Sequence, residues 1–343
     1  MNLKDSFKNR KKIIIPTVLI LLTMGILGID YNSLKTSSRH PAQTNDRCGI
    51  FCSIGRVIIG LFDRDRYEQT AEFAPAIPKL SFILIEVPDP DEFFLMGSSE
   101  GEAHYRKNEK GVDGKQVEVT FKKNFEIMAT EVTQRQWFEV MGDNPSRFKN
   151  PEDCKNHEYL NGLLEDGSVE KVGVCVSHPV ERVSWYMVRN FIKELNRLSG
   201  NRGCEGRPQD PTGCFRLPTE AEWEFAARGG TVSAYSFEDP DQIADYAWYR
   251  ENSNKQTHPV GSLASNPYGL FDMHGNVWEW TRDSWRDFLE GGVDPLHTDS
   301  ESGRVTRGGS WGEDASDLRS ANRQYGHSTN GDYYVGFRLV RTL

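Results

Sequence analysis

From residue 80 to the C-terminus no strand-like stretch is longer than a handful of residues, and turn-formers separate them all. The apolar stretches read LSFILIEV, EFFLMG, QVEVTF and GFRLVRTL, and the chain's 31 glycines and 16 prolines crowd the intervals. Glycine supplies positive-φ turns and proline withholds a ladder donor, so long uniform strands are excluded. A doubly wound sheet or a barrel needs regular alternation of strand and helix, which is absent, and no internal repeat is present. The class that remains is α+β, with little regular structure and long irregular connections.

Three helices are marked by their ends. Thr133 with Gln136 forms a capping box before TQRQWFEVMG, and Gly142 supplies the stop. Thr219 with Glu222 repeats the device ahead of AEWEFAAR, which ends at Gly229. The third, residues 184–199, places Val188, Phe191, Ile192, Leu195 and Leu198 on one face and stops at Gly200.

The N-terminus has a different character. Residues 1–12 carry Lys4, Lys8, Arg10, Lys11 and Lys12 against Asp5, and residues 13–29 (IIIPTVLILLTMGILGI) carry no charge. An uncharged helix of that length just crosses a bilayer core of about 30 Å. The basic flank stays cytoplasmic, which predicts a transmembrane signal anchor with the body in the periplasm or outside the cell. A cleaved signal peptide is the rival reading, and LGIDYNS offers it no small-x-small site. Residues 30–79 form a polar linker around a juxtamembrane apolar segment, 48–62, and the main domain spans 80–343. The apolar segment is too short to span and reads first as a buried core helix and second as a membrane-surface one.

The 6 cysteines suit an oxidising compartment. They fall in sequence as Cys48 and Cys52, Cys154 and Cys175, and Cys204 and Cys214, and three local disulfides are the simplest expectation. Zinc is the alternative, weakened by the absence of C-x-x-C and of a ligand-spaced histidine pair. The formal net charge of -9 and the lack of a basic stripe exclude nucleic acid as a partner.

Generic catalytic motifs fail. G-x-S-x-G occurs at 97–101 and at 308–312, but neither serine is followed by the helical pattern of a nucleophile elbow. No H-E-x-x-H, P-loop or EF-hand loop is present, and the 8 histidines are scattered. The segment GLFDMHGNVWEW (269–280) places Asp272 and Glu279 on either side of a His274-Gly275-Asn276 turn. Two carboxylates with inward carbonyls suit calcium, and a plain structural turn is the competing reading.

A collinear set of motifs is identifiable: FFLMGS (93–98), TEVTQRQW (130–137), NPSRF (144–148), HPVERVSW (178–185), FRLPTEAEWEFAARGG (215–230), HPVGS (258–262), NPYGLFDMHGNVWEW (266–280), RVTRGGSW (304–311) and VGFRLV (335–340). This set resembles the formylglycine-generating enzyme, or sulfatase-modifying factor, family over residues 82–343. The resemblance implies an α+β fold related to C-type lectins. It implies a structural calcium ion held by Asp272, the carbonyls of Gly275 and Val277, and Glu279. A second family calcium site falls near Asn252, where the family's aspartate is missing. The family's pocket positions fall on Ser310 and Trp278. Its oxidase chemistry uses copper held by a cysteine pair shortly after G-G-S-x, and two thiolates are the ligands Cu(I) prefers. Here that loop carries Glu313, Asp314 and Asp317, and no cysteine follows Cys214. Copper is therefore not expected, and Cys204 with Cys214 reads as a loop staple.

Three functions fit. The first is a non-catalytic, membrane-anchored binding or assembly module with a protein or glycan ligand. The second is an oxidase of the formylglycine-generating type, or another enzyme acting on a protein side chain. The third is a lectin-like ligand-binding protein diversified by a retroelement, on the strength of the polar, Tyr-rich run DASDLRSANRQYGHSTNGDYY.

Overall fold

The threonines that open the two capping boxes do so as their spacing predicts. The computed structural model describes residues 75–343 apart from 90–91, 155–158, 163–171, 208 and 301–302, all within the unit Thr70–Leu343. Its helices are α1 (Gln134–Met141), α2 (Pro151–Cys154), α3 (Trp185–Leu198), α4 (Glu220–Arg228) and α5 (Ile243–Tyr246). At α1, Thr133 Oγ1 accepts from the Gln136 amide while Gln136 Oε1 accepts from the Thr133 amide at 2.8 Å. Thr219 and Glu222 make the same reciprocal pair at α4. Gly142 and Gly229 end these helices in the left-handed region, at φ 77° and 58°. Ser184 caps α3, whose Val188, Phe191, Ile192 and Leu195 are buried as the periodicity requires.

The strands are β1 (Phe82–Ile85), β2 (Phe94–Met96), β3 (Val117–Thr120), β4 (Phe125–Met128), β5 (Tyr159–Gly162), β6 (Val172–Cys175), β7 (Phe215–Arg216), β8 (Trp278–Ser284), β9 (Gly292–Val293), β10 (Gly303–Arg307), β11 (Arg323–His327), β12 (Val335–Gly336) and β13 (Val340–Thr342). They form sheets ordered β1-β4-β13-β7, β11-β10-β8-β12 and β2-β3-β9, with β5-β6 as a separate pair. The mixed α+β content agrees with the sequence. Three of the predicted stretches contain β1, β2 and β3, and the fourth, GFRLVRTL, breaks between Gly336 and Val340.

Two cores flank these sheets. In one, Trp137 stacks on Phe191 at 5.1 Å, and both meet the Phe337 ring edge-on. In the other, Trp223 and Phe225 of α4 pack with Ile127, Met273 and Val340. Every residue of α4 is buried, glutamates included. Buried charge persists only when paired, and each carboxylate finds a guanidinium. Glu220 holds Arg323 at 2.7 Å, Glu222 holds Arg216 at 2.6 Å, and Glu224 holds Arg228 at 2.8 Å and also Arg307. Helix α4 thereby ties the β8–β10 sheet to the rest of the domain.

Cys154–Cys175 and Cys204–Cys214 are disulfides as expected, with Cα–Cα separations of 5.2 and 5.5 Å. The basic tail, the anchor at 13–29, most of the 30–79 linker, and Cys48 and Cys52 lie outside the described residues. Among the described residues no helix is long and apolar enough to cross a membrane.

Candidate functional site

Strand β8 is central in its sheet, antiparallel to β10 and parallel to β12, with Arg307 opposite Glu279 and Val335 opposite Trp278. That register gathers three loops at one end. The turn entering β8, the G-G-S loop leaving β10 and the loop entering β12 are laced by backbone bonds. The Trp278 amide donates to the Tyr334 carbonyl at 2.7 Å, Trp311 to Asn276 at 2.9 Å, and Gly275 to Gly308 at 2.8 Å. Two glycines permit the approach. Gly275 has φ 101° and packs so closely that a Cβ would strike the Trp248 carbonyl, and Gly309, at φ 76°, faces the Leu318 side chain in the same way.

The loops present an aromatic face. Trp311 stacks on Tyr333 at 5.9 Å, sits 4.9 Å from the Tyr334 ring and meets Phe148 edge-on at 5.5 Å. Arg147 lies 4.7 Å over the Tyr333 ring, a cation–π distance. The Tyr334 hydroxyl donates to that of Tyr333 at 2.8 Å, and this bond is the main reason its pKa is pushed up to about 12. Beneath the face, Glu181 Oε1 accepts the amides of Arg147 and Phe148 at 2.6 and 2.8 Å. Its Oε2 is buried without a partner, and burial raises the carboxyl to about 8, so it is largely neutral at pH 7.

Ser310 and Trp278 both lie in this loop cluster. Ser310 is fully buried and its Oγ accepts the Gly312 amide at 3.3 Å, while Trp278 Nε1 donates to Glu313 Oε1 at 3.3 Å. The other loop carboxylates turn elsewhere. Asp314 pairs with Arg250 at 2.6 Å and Asp317 with Arg106 at 2.5 Å, so the acids do not converge. Neither G-x-S-x-G serine is followed by an α-helix, as expected.

The 272–279 turn is a dense charge cluster. Asp272 takes a left-handed φ of 57°, and its Oδ2 accepts the Gly261 amide at 2.7 Å while Oδ1 is buried. Both oxygens of Glu279 receive Arg338, at 2.7 to 2.9 Å, and Oε2 also accepts Trp223 Nε1 at 2.9 Å. Glu131 is buried against Asp272, the two carboxyls meeting in a side-chain hydrogen bond; burial first, then the Asp272 charge, lifts Glu131 well above the usual carboxylate range. Burial raises Asp272 as well. Asn252 uses its side chain on its own turn, accepting from Tyr249 and donating to Ala247. Among the described residues no group of three or more His, Cys, Asp or Glu side chains is arranged to hold a metal ion.

The sulfatase-modifying factor enzyme 1-like domain model matches residues 90–343, most of the chain. This chain belongs to the sulfatase-modifying factor family. A chaperone protein, LppX, from Paenibacillus barcinonensis is 32% identical over 229 residues, covering 55% of this chain and 69% of that relative. The formylglycine-generating enzyme of Bos taurus is 34% identical over 314 residues, covering 86% of this chain and 66% of that enzyme. The chain thus spans about two thirds of the length of these curated relatives. The solved structure of Treponema denticola variable protein 1 superposes with a TM-score of 0.60 at 27% identity, covering 80% of this chain and 99% of the other.

Within this sulfatase-modifying-factor domain, several residues of the site are not singled out by sequence reasoning. Glu131, Glu181 and Arg338 are each embedded in recognised motifs, TEVTQRQW, HPVERVSW and VGFRLV. Arg338 carries a signal that periodicity ignores, since a charge within an apolar strand-like run requires a buried partner. Tyr333 and Tyr334 close the Tyr-containing polar run at 314–334 and Arg147 lies within NPSRF, but only the tertiary arrangement of the loops brings the three together.

Proposed function

We propose that this chain is a membrane-anchored, extracytoplasmic binding or assembly module of the sulfatase-modifying factor family, and that the aromatic face over Ser310 and Trp278 holds its ligand. The carrying observation is the composition of that face. Half-buried Tyr333 and Tyr334 lie beside Trp311 and Arg147, the residue types that concentrate binding energy at recognition surfaces. The loop that bears copper-binding cysteines in the family bears carboxylates here, and Cys154, Cys175, Cys204 and Cys214 are held in disulfides. Those features favour binding over oxidation. The uncharged run at 13–29 behind a basic flank supports the anchor.

A diversified ligand-binding role is a second reading. It draws on the likeness to a structure described as a variable protein and on exposed Gln324, Tyr325, His327 and Thr329 along and just beyond edge strand β11.

Calcium enters as a structural ion of the 272–279 turn. The closely paired buried carboxyls of Asp272 and Glu131 fit it, whereas Glu279 already receives Arg338 and Trp223, so an ion there would compete with Arg338.

The binding reading is tested by screening the detergent-solubilised full chain against immobilised glycans and peptides. Retention of a binder should fall by about tenfold or more in the Tyr333→Ala variant, with the melting temperature unchanged. A panel without binders, or binders indifferent to that variant, would remove the assignment to this face.

A further inference from the structure

A cleft of about 540 Å³ lies between α3, the edge of β7 and the Cys204–Cys214 staple, and shares no lining residue with the aromatic face. One wall is a single face of α3, carrying Arg189 and Lys193 one turn apart, both exposed. The other wall is built from strands, with Arg216 from β7, Arg282 from β8 and Arg304 from β10. Among the described residues Glu205 is the only carboxylate in the lining, and it pairs with Arg207 outside it. In a chain of net charge -9, five cations around one concavity is a local inversion of sign.

These cations are not equivalent. Glu222 neutralises Arg216 through two bonds of 2.6 and 2.7 Å. Arg304 lies 3.9 Å over the Trp185 ring and donates to the Arg282 carbonyl and to Ser284. Arg189 also lies over the Trp185 ring, at 5.1 Å, yet among the described residues no ion pair forms at Arg189, Lys193 or Arg282. Arg282 Nε is buried with no hydrogen-bond partner, and its Nη1 reaches only the Glu205 carbonyl, at 3.4 Å. Burial, then the Arg216 charge, lowers the Arg282 pKa to about 10, with Asp210 and Asp283 opposing that shift. The fold holds this guanidinium in a field that disfavours its charge, and an anion in the cleft would relieve that.

We propose that the cleft binds a tetrahedral oxyanion ester, a sulfate or phosphate group carried on a small sugar. Arginine's planar fork matches tetrahedral oxyanions in bidentate fashion, and Lys193 adds a mobile point charge. The volume lies within the range of small-molecule sites and exceeds what a bare oxyanion fills, leaving room for the sugar. Asn190 and Thr298, exposed at the cleft, offer neutral groups to its hydroxyls.

Calorimetric titration of the full chain in phosphate-free, low-salt buffer decides this, using glucose 6-sulfate, glucose 6-phosphate and glucose as probes. At least one ester should bind and glucose should not, and the stronger ester identifies the anion. The double variant Arg189→Gln/Lys193→Gln, on an exposed helix face, should weaken ester binding by about tenfold or more without changing the melting temperature. Arg282→Gln should weaken it too, and Tyr333→Ala should leave it intact, which separates this site from the aromatic face. Absence of heat with both esters, equal binding of glucose, or full affinity in the double variant would overturn the proposal.

Discussion

Glu181 is the residue at which burial and protonation are most directly coupled. Its native carboxyl is raised from 4.5 to about 8, so the folded chain holds a proton that the unfolded chain releases across that window. Its contribution to stability must therefore fall as pH rises from about 5 to 8, by up to about 1.4 kcal/mol per pH unit, and level off above. Denaturant melts of Glu181→Gln against the parent should show a flatter pH dependence in the variant. Equal slopes would mean that Glu181 is ionised in the fold. Calcium belongs at the same scale. Chelation should lower the melting temperature, and Asp272→Ala should abolish that response. A chelator without effect would leave the turn held by its protein contacts alone, the Glu279–Arg338 pair among them. Legibility at this scale is uneven. Asp272 and Glu279 stand out in sequence as carboxylates flanking a Gly-containing turn, whereas Glu131 joins them only through tertiary contact.

Elements whose signals are local are legible, and those assembled from distant partners are not. The boxes at Thr133 and Thr219 are complete within four residues, so sequence suffices to place α1 and α4. Strands β8 and β10 are hidden for the opposite reason. WEWTRDS and GRVTR are buried on both faces yet carry arginines, so no alternation is left to read. Several of their polar side chains pair with α4, among them Asp283, which accepts the Glu220 amide, and Arg307, which meets Glu220 and Glu224. Two substitutions in and before α4 should separate local from tertiary support. Thr219→Ala removes one cap and should cost about 1 kcal/mol. Glu224→Ala strands the buried guanidiniums of Arg228 and Arg307 and should cost about 3–5 kcal/mol. Comparable losses from the two in chemical denaturation would mean that the paired charges do not hold this helix in place.

The whole molecule joins an N-terminal run that reads as an anchor to a family domain whose oxidase thiols are missing. The family is readable from its collinear motifs, but the binding face is not, because Arg147, Trp311 and Tyr333 come from three separate loops. If the body lies outside the cell membrane, protease added to intact spheroplasts should degrade it and spare only a short N-terminal piece, whereas full protection would reverse the orientation. The central claim is that this domain binds without performing the family's oxidation. Its most direct test is to incubate the purified full chain with copper, oxygen and a sulfatase-motif peptide, with an authentic formylglycine-generating enzyme as positive control. The readout is the mass of the peptide cysteine. With carboxylates where the family places thiolates, the cysteine mass should remain unchanged under conditions in which the control converts it to the aldehyde. Conversion by this chain, lost on Ser310→Ala, would contradict the account.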